Sequence, residues 1–238
     1  MNPMYDPLTV AVETGTLVTR GDERKYYRFR AARFYGGIGT ADCVGCCLRC
    51  IFCWAWDKVN DPAGSGTFYG ADEVARRIIA ICRNRKLHRA RLSGNEPTLS
   101  RTHLISLLRL LPQDIMFILE TNGILLGHDR GYAQELAAFP HLHVRVSIKG
   151  CNESEFSQLT GADPAAFGLQ LKALEHLGEA GVSCHPAVMV SFSDHRAVDS
   201  LRERLRGIGA GFSDFEAEEA FMNPAIERRL AKRGLLPR

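Results

Sequence analysis

The chain alternates between two hydrophobic periods, one typical of β-strands and one typical of α-helices. Residues 25–34 alternate apolar and polar side chains and predict a first strand, while residues 115–119 form a continuous apolar stretch typical of buried parallel strands. Further strands are predicted over 88–93, 142–148, 182–191 and 212–216. Apolar residues at helical spacing predict helices over 72–82, 100–111, 132–138, 163–181 and 194–206, followed by a charged helical tail.

Repeated strand–helix units indicate a parallel sheet with crossover connections. Six units are too few for an eight-stranded barrel, so the pattern predicts an α/β fold with a partial (β/α)6 barrel of parallel strands. We expect a single domain over 1–238, with a core from about 25 to 216, an N-terminal extension over 1–24 and a tail over 217–238. In such folds the chemistry gathers at the carboxyl ends of the strands.

Composition narrows the class of protein. Of the 238 residues, 45% are hydrophobic and 24% charged, which is ordinary for a globular protein. The net charge of +3 does not favour a nucleic acid partner, and the basic runs over 202–206 and 228–233 are predicted to be solvated helix faces. No stretch approaches the ~20 apolar residues of a membrane span and the N-terminus lacks a signal-peptide pattern, so we expect a cytoplasmic protein without membrane attachment.

A glycine-rich loop over 36–45 leads into a group of five of the eight cysteines: Cys43, Cys46, Cys47, Cys50 and Cys53. In a reducing compartment this density indicates metal ligands rather than disulfides. The spacing Cys46-x-x-x-Cys50-x-x-Cys53 fits three corners of a cubane [4Fe–4S] cluster and would leave one iron open. A zinc site formed by the pairs Cys43/Cys46 and Cys50/Cys53 is one alternative, although zinc ribbons separate their pairs by ~15–20 residues. A closed four-cysteine ferredoxin cluster is another, although its spacing differs.

Four motifs in this order resemble the radical S-adenosylmethionine (SAM) enzymes. They are Cys46-x-x-x-Cys50-x-Phe52-Cys53, Ser93-Gly-Asn-Glu-Pro97, Glu120-Thr-Asn-Gly123 and Val146-Ser-Ile-Lys149, and each follows or ends a predicted strand. The chain most resembles the activating enzymes of glycyl-radical enzymes, such as the pyruvate formate-lyase activator. This resemblance implies one [4Fe–4S] cluster with three cysteine ligands and SAM on the open iron. Reductive cleavage of SAM would yield methionine and a 5′-deoxyadenosyl radical that abstracts hydrogen from a substrate.

The resemblance assigns a role to each matching position. Cys46, Cys50 and Cys53 would be the cluster ligands and form the catalytic centre. Residues 94–97 would bind the methionyl ammonium group, and asparagine replaces the family's second glycine there. The residues implied to bind SAM are Phe52 beside the adenine, Gly94, Asn95, Glu96, Pro97 and Glu120 at the ammonium, Asn122 in the following turn, and Ser147 and Lys149 at the ribose or carboxylate.

The remaining cysteines are predicted to have no part in the cluster. Cys43 and Cys47 are interpreted as small residues of the loop, Cys82 as a core residue on a helix, and Cys184 as a buried strand residue. Cys151 follows the last motif, and the sequence allows either a packing role or a position near the site for it.

The resemblance also implies partners. The substrate would be a glycine of a partner glycyl-radical enzyme, the electron donor would be flavodoxin or ferredoxin, and we expect the chain itself to be a monomer. One alternative is a radical SAM enzyme that modifies a small molecule or peptide, similar to the 7-carboxy-7-deazaguanine synthases. Another is an iron–sulfur electron-transfer or cluster-carrier protein that never cleaves SAM.

Overall fold

The structure, a computed structural model, describes residues 4–235 and contains one nine-stranded sheet. The sheet order is β1-β2-β3-β5-β6-β7-β8-β9, with β4 paired to β2. The strands are β1 Thr19–Arg20, β2 Glu23–Ala32, β3 Ile38–Cys43, β4 Thr67–Tyr69, β5 Arg89–Ser93, β6 Met116–Thr121, β7 Leu142–Ile148, β8 Cys184–Met189 and β9 Glu216–Glu218.

Six of these strands, β3 and β5 to β9, are parallel neighbours in chain order. The predicted partial (β/α)6 barrel is therefore confirmed, and the sheet is not closed because its strand order has two free ends. An antiparallel extension of β2, β1 and β4 continues the sheet beyond β3.

The predicted first parallel strand was wrong. Residues 25–34 fall mostly in β2, which runs antiparallel, and the first parallel strand is Ile38–Cys43, inside the stretch we predicted to be a loop. Strand β3 contains small residues that give no strand pattern in the sequence, and packing explains why they are small. A Cβ at Gly39 would lie 2.7 Å from Cys82 Sγ, so this strand needs glycine where the helix Ala71–Arg85 packs closely on it.

Ten α-helices are described, and most pack on the outside of the sheet. They are α1 Pro7–Val18, α2 Trp56–Asn60, α3 Ala71–Arg85, α4 Arg101–Leu110, α5 Ile124–His128, α6 Arg130–Leu136, α7 Glu153–Thr160, α8 Phe167–Glu179, α9 His195–Ile208 and α10 Pro224–Ala231 among residues 4–235. Asp163 and Asp194 accept hydrogen bonds from the Ala165 and Ala197 amides, both at 2.9 Å, and so begin their helical segments as the sequence predicts. No helix in the described part of the chain has the length and apolar character needed to cross a membrane.

The predicted strand over 212–216 was also wrong. Residues Ala210–Ser213 form a 3₁₀ turn, in which the Phe212 amide bonds the Gly209 carbonyl at 2.9 Å, and the last strand is Glu216–Glu218. The aromatic ring of Phe212 packs against Gly209 and Gly178 on the helical layer instead of entering the sheet. As a result, Glu218 lies on a strand rather than in the tail.

The two faces of the sheet differ in polarity. In β7, Leu142, Val144, Val146 and Ile148 are buried towards the helices. The alternate positions point to the inside of the open barrel, where Arg145 is found. The apolar core therefore lies between sheet and helices, and the inner face is free to carry charge.

Candidate functional site

A cavity of about 780 Å³ occupies the inside of the barrel at the carboxyl ends of the parallel strands. It brings together the loop after β3, the turns after β5 and β6, and the end of β7. Of the residues assigned from the sequence, all but one line this cavity: Cys46, Cys50, Phe52, Cys53, Gly94, Asn95, Glu96, Glu120, Asn122, Ser147 and Lys149. Pro97 is buried and is not among the lining residues.

The loop over 44–55, here called the cluster loop, has little regular structure and is fixed by hydrogen bonds from distant segments. The Tyr5 hydroxyl accepts from the Arg49 amide at 2.8 Å, and the Ile51 amide donates to the Leu159 carbonyl at 2.9 Å. Arg229 donates to the carbonyls of Ile51 and Cys53, at 2.8 and 2.7 Å. Three remote elements thus determine where the cysteines lie.

Arg229 corrects one interpretation of the sequence. The basic run over 228–233 was predicted to be a solvated helix face, and for Arg229 this is wrong. Its guanidinium packs on the Trp56 ring at 4.5 Å while it binds the cluster loop. A single arginine in a charged helix gives no sequence signal for such a contact, because the partners are backbone carbonyls about 180 positions away.

The thiols of the cluster loop are largely enclosed by protein. Burial raises the pKa of Cys53 to about 11 and also raises the pKa of Cys50, whereas a hydrogen bond from Cys47 lowers the pKa of Cys46. Metal ligation needs thiolates, and binding of a metal centre itself releases the protons.

The arrangement of these thiols bears on the kind of metal centre. Within residues 4–235, no three His, Cys, Asp or Glu side chains converge as a single metal ion requires. Cys46, Cys50 and Cys53 line one cavity of about 780 Å³. A cubane binds three thiolates through three different irons, so three thiols around one cavity suit it.

The turn after β5 requires glycine at one position. Gly94 has φ +103°, and a Cβ there would lie 2.9 Å from the Cys43 backbone nitrogen. Asn95 does not have positive φ, so its replacement of a glycine costs no strain. Instead its side-chain oxygen accepts from the Gly45 amide at 3.0 Å and ties this turn to the cluster loop.

Glu96 is fully buried and serves as a junction between two turns. Its carboxylate accepts hydrogen bonds from the Thr98 amide and hydroxyl at 3.1 and 2.7 Å, from the Thr121 hydroxyl at 2.7 Å and from the Asn122 amide at 2.7 Å. Burial raises the pKa of Glu96, and these four donors act in the opposite direction. The carboxylate therefore holds the turns after β5 and β6 in a fixed relation.

Asn122 connects that junction to the cysteines. Its side-chain nitrogen lies 3.5 Å from Cys46 Sγ and 3.3 Å from Cys47 Sγ. Cys47, predicted to be a bystander, is completely buried and held by this amide. Of the other cysteines, Cys82 is fully buried as predicted and Cys184 is only half-buried.

Lys149 lies opposite, at the end of β7. Its ammonium group donates to the Ser147 hydroxyl and lies 3.6 Å from Glu218 Oε2 and 5.9 Å from the centre of the Phe52 ring. Burial would raise the pKa of Glu218, but Lys149 and Arg145 together hold it below its ordinary value. The sequence did not indicate Glu218.

The inner side of the sheet carries further charges that the sequence reasoning missed. We call this set the charged face; it comprises Arg28, Arg30, Asp42, Arg91, Glu120, Arg145, Glu216 and Glu218. Arg91 pairs with Glu120 at 2.8 Å, and Arg145 binds Glu216 through two hydrogen bonds of 2.9 Å. The available signal was the strict alternation of apolar and polar residues in β5 and β7.

An open α/β barrel with Cys46, Cys50 and Cys53 at its carboxyl edge is the arrangement that the resemblance in the sequence implies. Comparison with known families makes this specific, because the family model described as the Radical SAM superfamily matches residues 42–203. That match covers well over half of the chain, and the chain belongs to the radical SAM superfamily. The family's cofactors, a [4Fe–4S] cluster held by three cysteines and SAM, are therefore the cofactors of this chain.

The similarity to individual proteins is low in sequence identity. The chain is 26% identical over 167 residues to a protein named probable GTP 3′,8-cyclase from Methanosarcina acetivorans, covering 69% of this chain and 48% of that protein. The chain thus spans about half the length of this curated relative.

Solved structures share the fold. SuiB of Streptococcus suis bound to SAM superposes with a TM-score of 0.60 at 16% identity, covering 81% of this chain and 47% of SuiB. A structure of SuiB bound to the precursor peptide SuiA gives the same TM-score of 0.60 at 16% identity. The match covers 84% of this chain and 47% of SuiB. The protein anSMEcpe with bound SAM gives a TM-score of 0.58 at 21% identity. The match covers 74% of this chain and 49% of anSMEcpe.

Proposed function

We propose that this chain reductively cleaves SAM at a [4Fe–4S] cluster held by Cys46, Cys50 and Cys53. The observation that carries the proposal is their position: these thiols share one cavity with the turns that the family uses for SAM. When bound, the cluster supplies an electron and an open iron. The protein's own residues then have to hold SAM against that iron and keep water out.

The lining residues divide this work. Phe52 and Lys149 border the same part of the cavity and would hold the adenosyl and carboxylate parts of SAM, with Ser147 beside them. The turn over 94–96, with Glu120 and Asn122, would bind the methionyl ammonium group. Among residues 4–235, one oxygen of Glu96 accepts only the Asn122 amide, which leaves acceptor capacity for a cation. Pro97, buried outside the lining, would support the turn.

The substrate is a separate proposal. A glycine of a partner glycyl-radical enzyme is one candidate; it would lose a hydrogen atom to the 5′-deoxyadenosyl radical, and flavodoxin or ferredoxin would be the donor that reduces the cluster. The charged face inside the cavity favours the other candidate, a small molecule with polar groups, because such groups would be contacted deep in the barrel. The similarity to a probable GTP cyclase supports this second candidate. The structure of SuiB bound to its precursor peptide supports testing a peptide substrate as well.

Anaerobic reconstitution with iron and sulfide, followed by dithionite and SAM, tests the proposal. We expect 5′-deoxyadenosine and methionine in equal amounts by liquid chromatography. A fully loaded cluster that yields neither product would overturn the proposed function and leave the electron-carrier alternative.

A further inference from the structure

Two arginines of the charged face share a single carboxylate. Arg28 Nε donates to Asp42 Oδ2 at 2.6 Å, and Arg30 Nε lies 3.5 Å from the same oxygen. Asp42 is fully buried, whereas the side chains of Arg28 and Arg30 are 39% and 29% exposed. Two cations against one anion leave an excess of positive charge at this side of the cavity.

The other cations of the cavity are matched. Arg91 faces Glu120, and Arg145 faces both Glu216 and Glu218, the second at 2.7 Å. Lys149 also lies near Glu218, at 3.6 Å. Among the ion pairs of the cavity, the surplus of cations over carboxylates therefore lies at Arg28 and Arg30. Glu96 and Glu219 also line the cavity, and neither forms an ion pair among the described residues.

Arg30 has hydrogen-bonding capacity that the protein does not use. Its buried Nε faces Asp42 at 3.5 Å without a hydrogen bond, and its terminal nitrogens make no hydrogen bond to another residue among residues 4–235. The side chain is partly exposed to the cavity, and a guanidinium offers a planar fork that matches a carboxylate or phosphate. Arg28 and Arg30 alternate on β2, so both side chains line the cavity from the same face of the strand.

An exposed aromatic ring lies beside Arg28, and a second lies beside Arg91 on the charged face. Trp54 is 50% exposed and its ring lies 5.4 Å from the Arg28 guanidinium. Phe34 is 56% exposed and lies 4.5 Å from the Arg91 guanidinium. Both rings line the cavity, so its cationic side also offers apolar surface.

We propose that Arg28 and Arg30 bind the carboxylate or phosphate group of a small-molecule substrate, and that Trp54 and Phe34 pack against its apolar part. This inference rests on the proposed function, because it names the substrate class of the same cavity. Carboxylate and phosphate share the recognition chemistry, and the choice of probe separates them.

Isothermal titration of the reconstituted protein with SAM present tests the inference, using pyrophosphate and citrate as probes at constant ionic strength. We expect the wild type to bind at least one of them, and Arg30→Gln to weaken that binding about tenfold or more. Arg30→Lys should fall between the two, since it keeps the charge and loses the fork. Arg85→Gln, on an exposed part of α3, changes the net charge equally and should bind as the wild type does.

Wild-type protein that binds neither probe, or Arg30→Gln that binds as tightly as the wild type, would overturn the inference. Circular dichroism of each variant shows whether it has folded, and Arg30→Lys provides the comparison if Arg30→Gln does not fold. Formation of 5′-deoxyadenosine by the wild type judges the proposed function separately. If the protein cleaves SAM but does not bind the anions, only the inference about the substrate class is contradicted. If it does not cleave SAM, the proposed function is contradicted.

Discussion

The cluster end of the cavity and the charged face are built in opposite ways. The cluster loop has little regular structure, and its position depends on hydrogen bonds between its own backbone and Tyr5, Leu159 and Arg229. The charged face consists of side chains on strands, paired with one another as ions. Loops fixed by the backbone can hold a cofactor common to a family. Side chains on strands can change without moving the backbone, so this face is suited to determine the substrate of one protein.

The largest expected effect is at the cluster end. Cys50→Ala should abolish both cluster binding and SAM cleavage, because it removes one of three ligands that no other thiol replaces in our assignment. Iron and sulfide analysis after reconstitution, together with 5′-deoxyadenosine measurement, checks this. Cys184→Ala is the matched control, since Cys184 lies in β8 and does not line the cavity, and it should retain both properties. Full activity in Cys50→Ala would show that the ligands are misassigned.

Glu96→Ala should destabilise the fold by about 3 kcal/mol, because four donors would lose their buried acceptor. The free energy of unfolding in urea measures this. Glu153→Ala removes an equally sized carboxylate that is 45% exposed and paired with Arg204, and should cost less than about 1 kcal/mol. Equal losses in the two variants would contradict the role of Glu96 as a junction.

Gly94→Ala adds a single methyl group and tests whether the backbone of the turn after β5 requires glycine. The positive φ and the 2.9 Å contact with the Cys43 nitrogen should cost about 2 kcal/mol and weaken SAM binding. Gly168→Ala, in α8, meets nothing within 4 Å and should be neutral or slightly stabilising. Urea unfolding and equilibrium dialysis with labelled SAM provide the two measurements. Wild-type values for Gly94→Ala would show that the turn is adaptable.

The charged face should contribute a smaller, pH-dependent effect. Hydrogen bonds from Arg145 lower the pKa of Glu216 from 4.5 to about 2. The unfolded carboxyl group therefore binds a proton more readily than the folded one, and stability should fall as the pH falls from 4.5 towards 2. Glu216→Gln should lose part of this dependence in urea unfolding measured across that range. An unchanged pH dependence would show that the Arg145 pair does not stabilise the fold.

The parts of the molecule that the sequence predicted share one property: they are local. The cysteine spacing, the turn over 94–97 and the aspartate caps at Asp163 and Asp194 involve neighbouring residues, so their patterns can be recognised directly. Strand β3 was missed because close packing on Cys82 selects small residues that carry no strand signal.

The charged face was missed for the opposite reason. Arg28 and Asp42 lie on adjacent strands, and Arg145 and Glu216 are 71 positions apart, so only the sheet brings them together. Alternation within β7 indicated which residues share a face, but not what that face meets. The bond from Arg229 to the cluster loop depends in the same way on packing between distant segments.

The central claim is that three cysteines of the cluster loop leave an iron open for SAM. Electron paramagnetic resonance of the dithionite-reduced, reconstituted protein, recorded before and after SAM is added, tests it most directly. We predict that SAM changes the spectrum of the reduced cluster and that 5′-deoxyadenosine follows. A loaded, reduced cluster whose spectrum is the same with and without SAM would contradict the account.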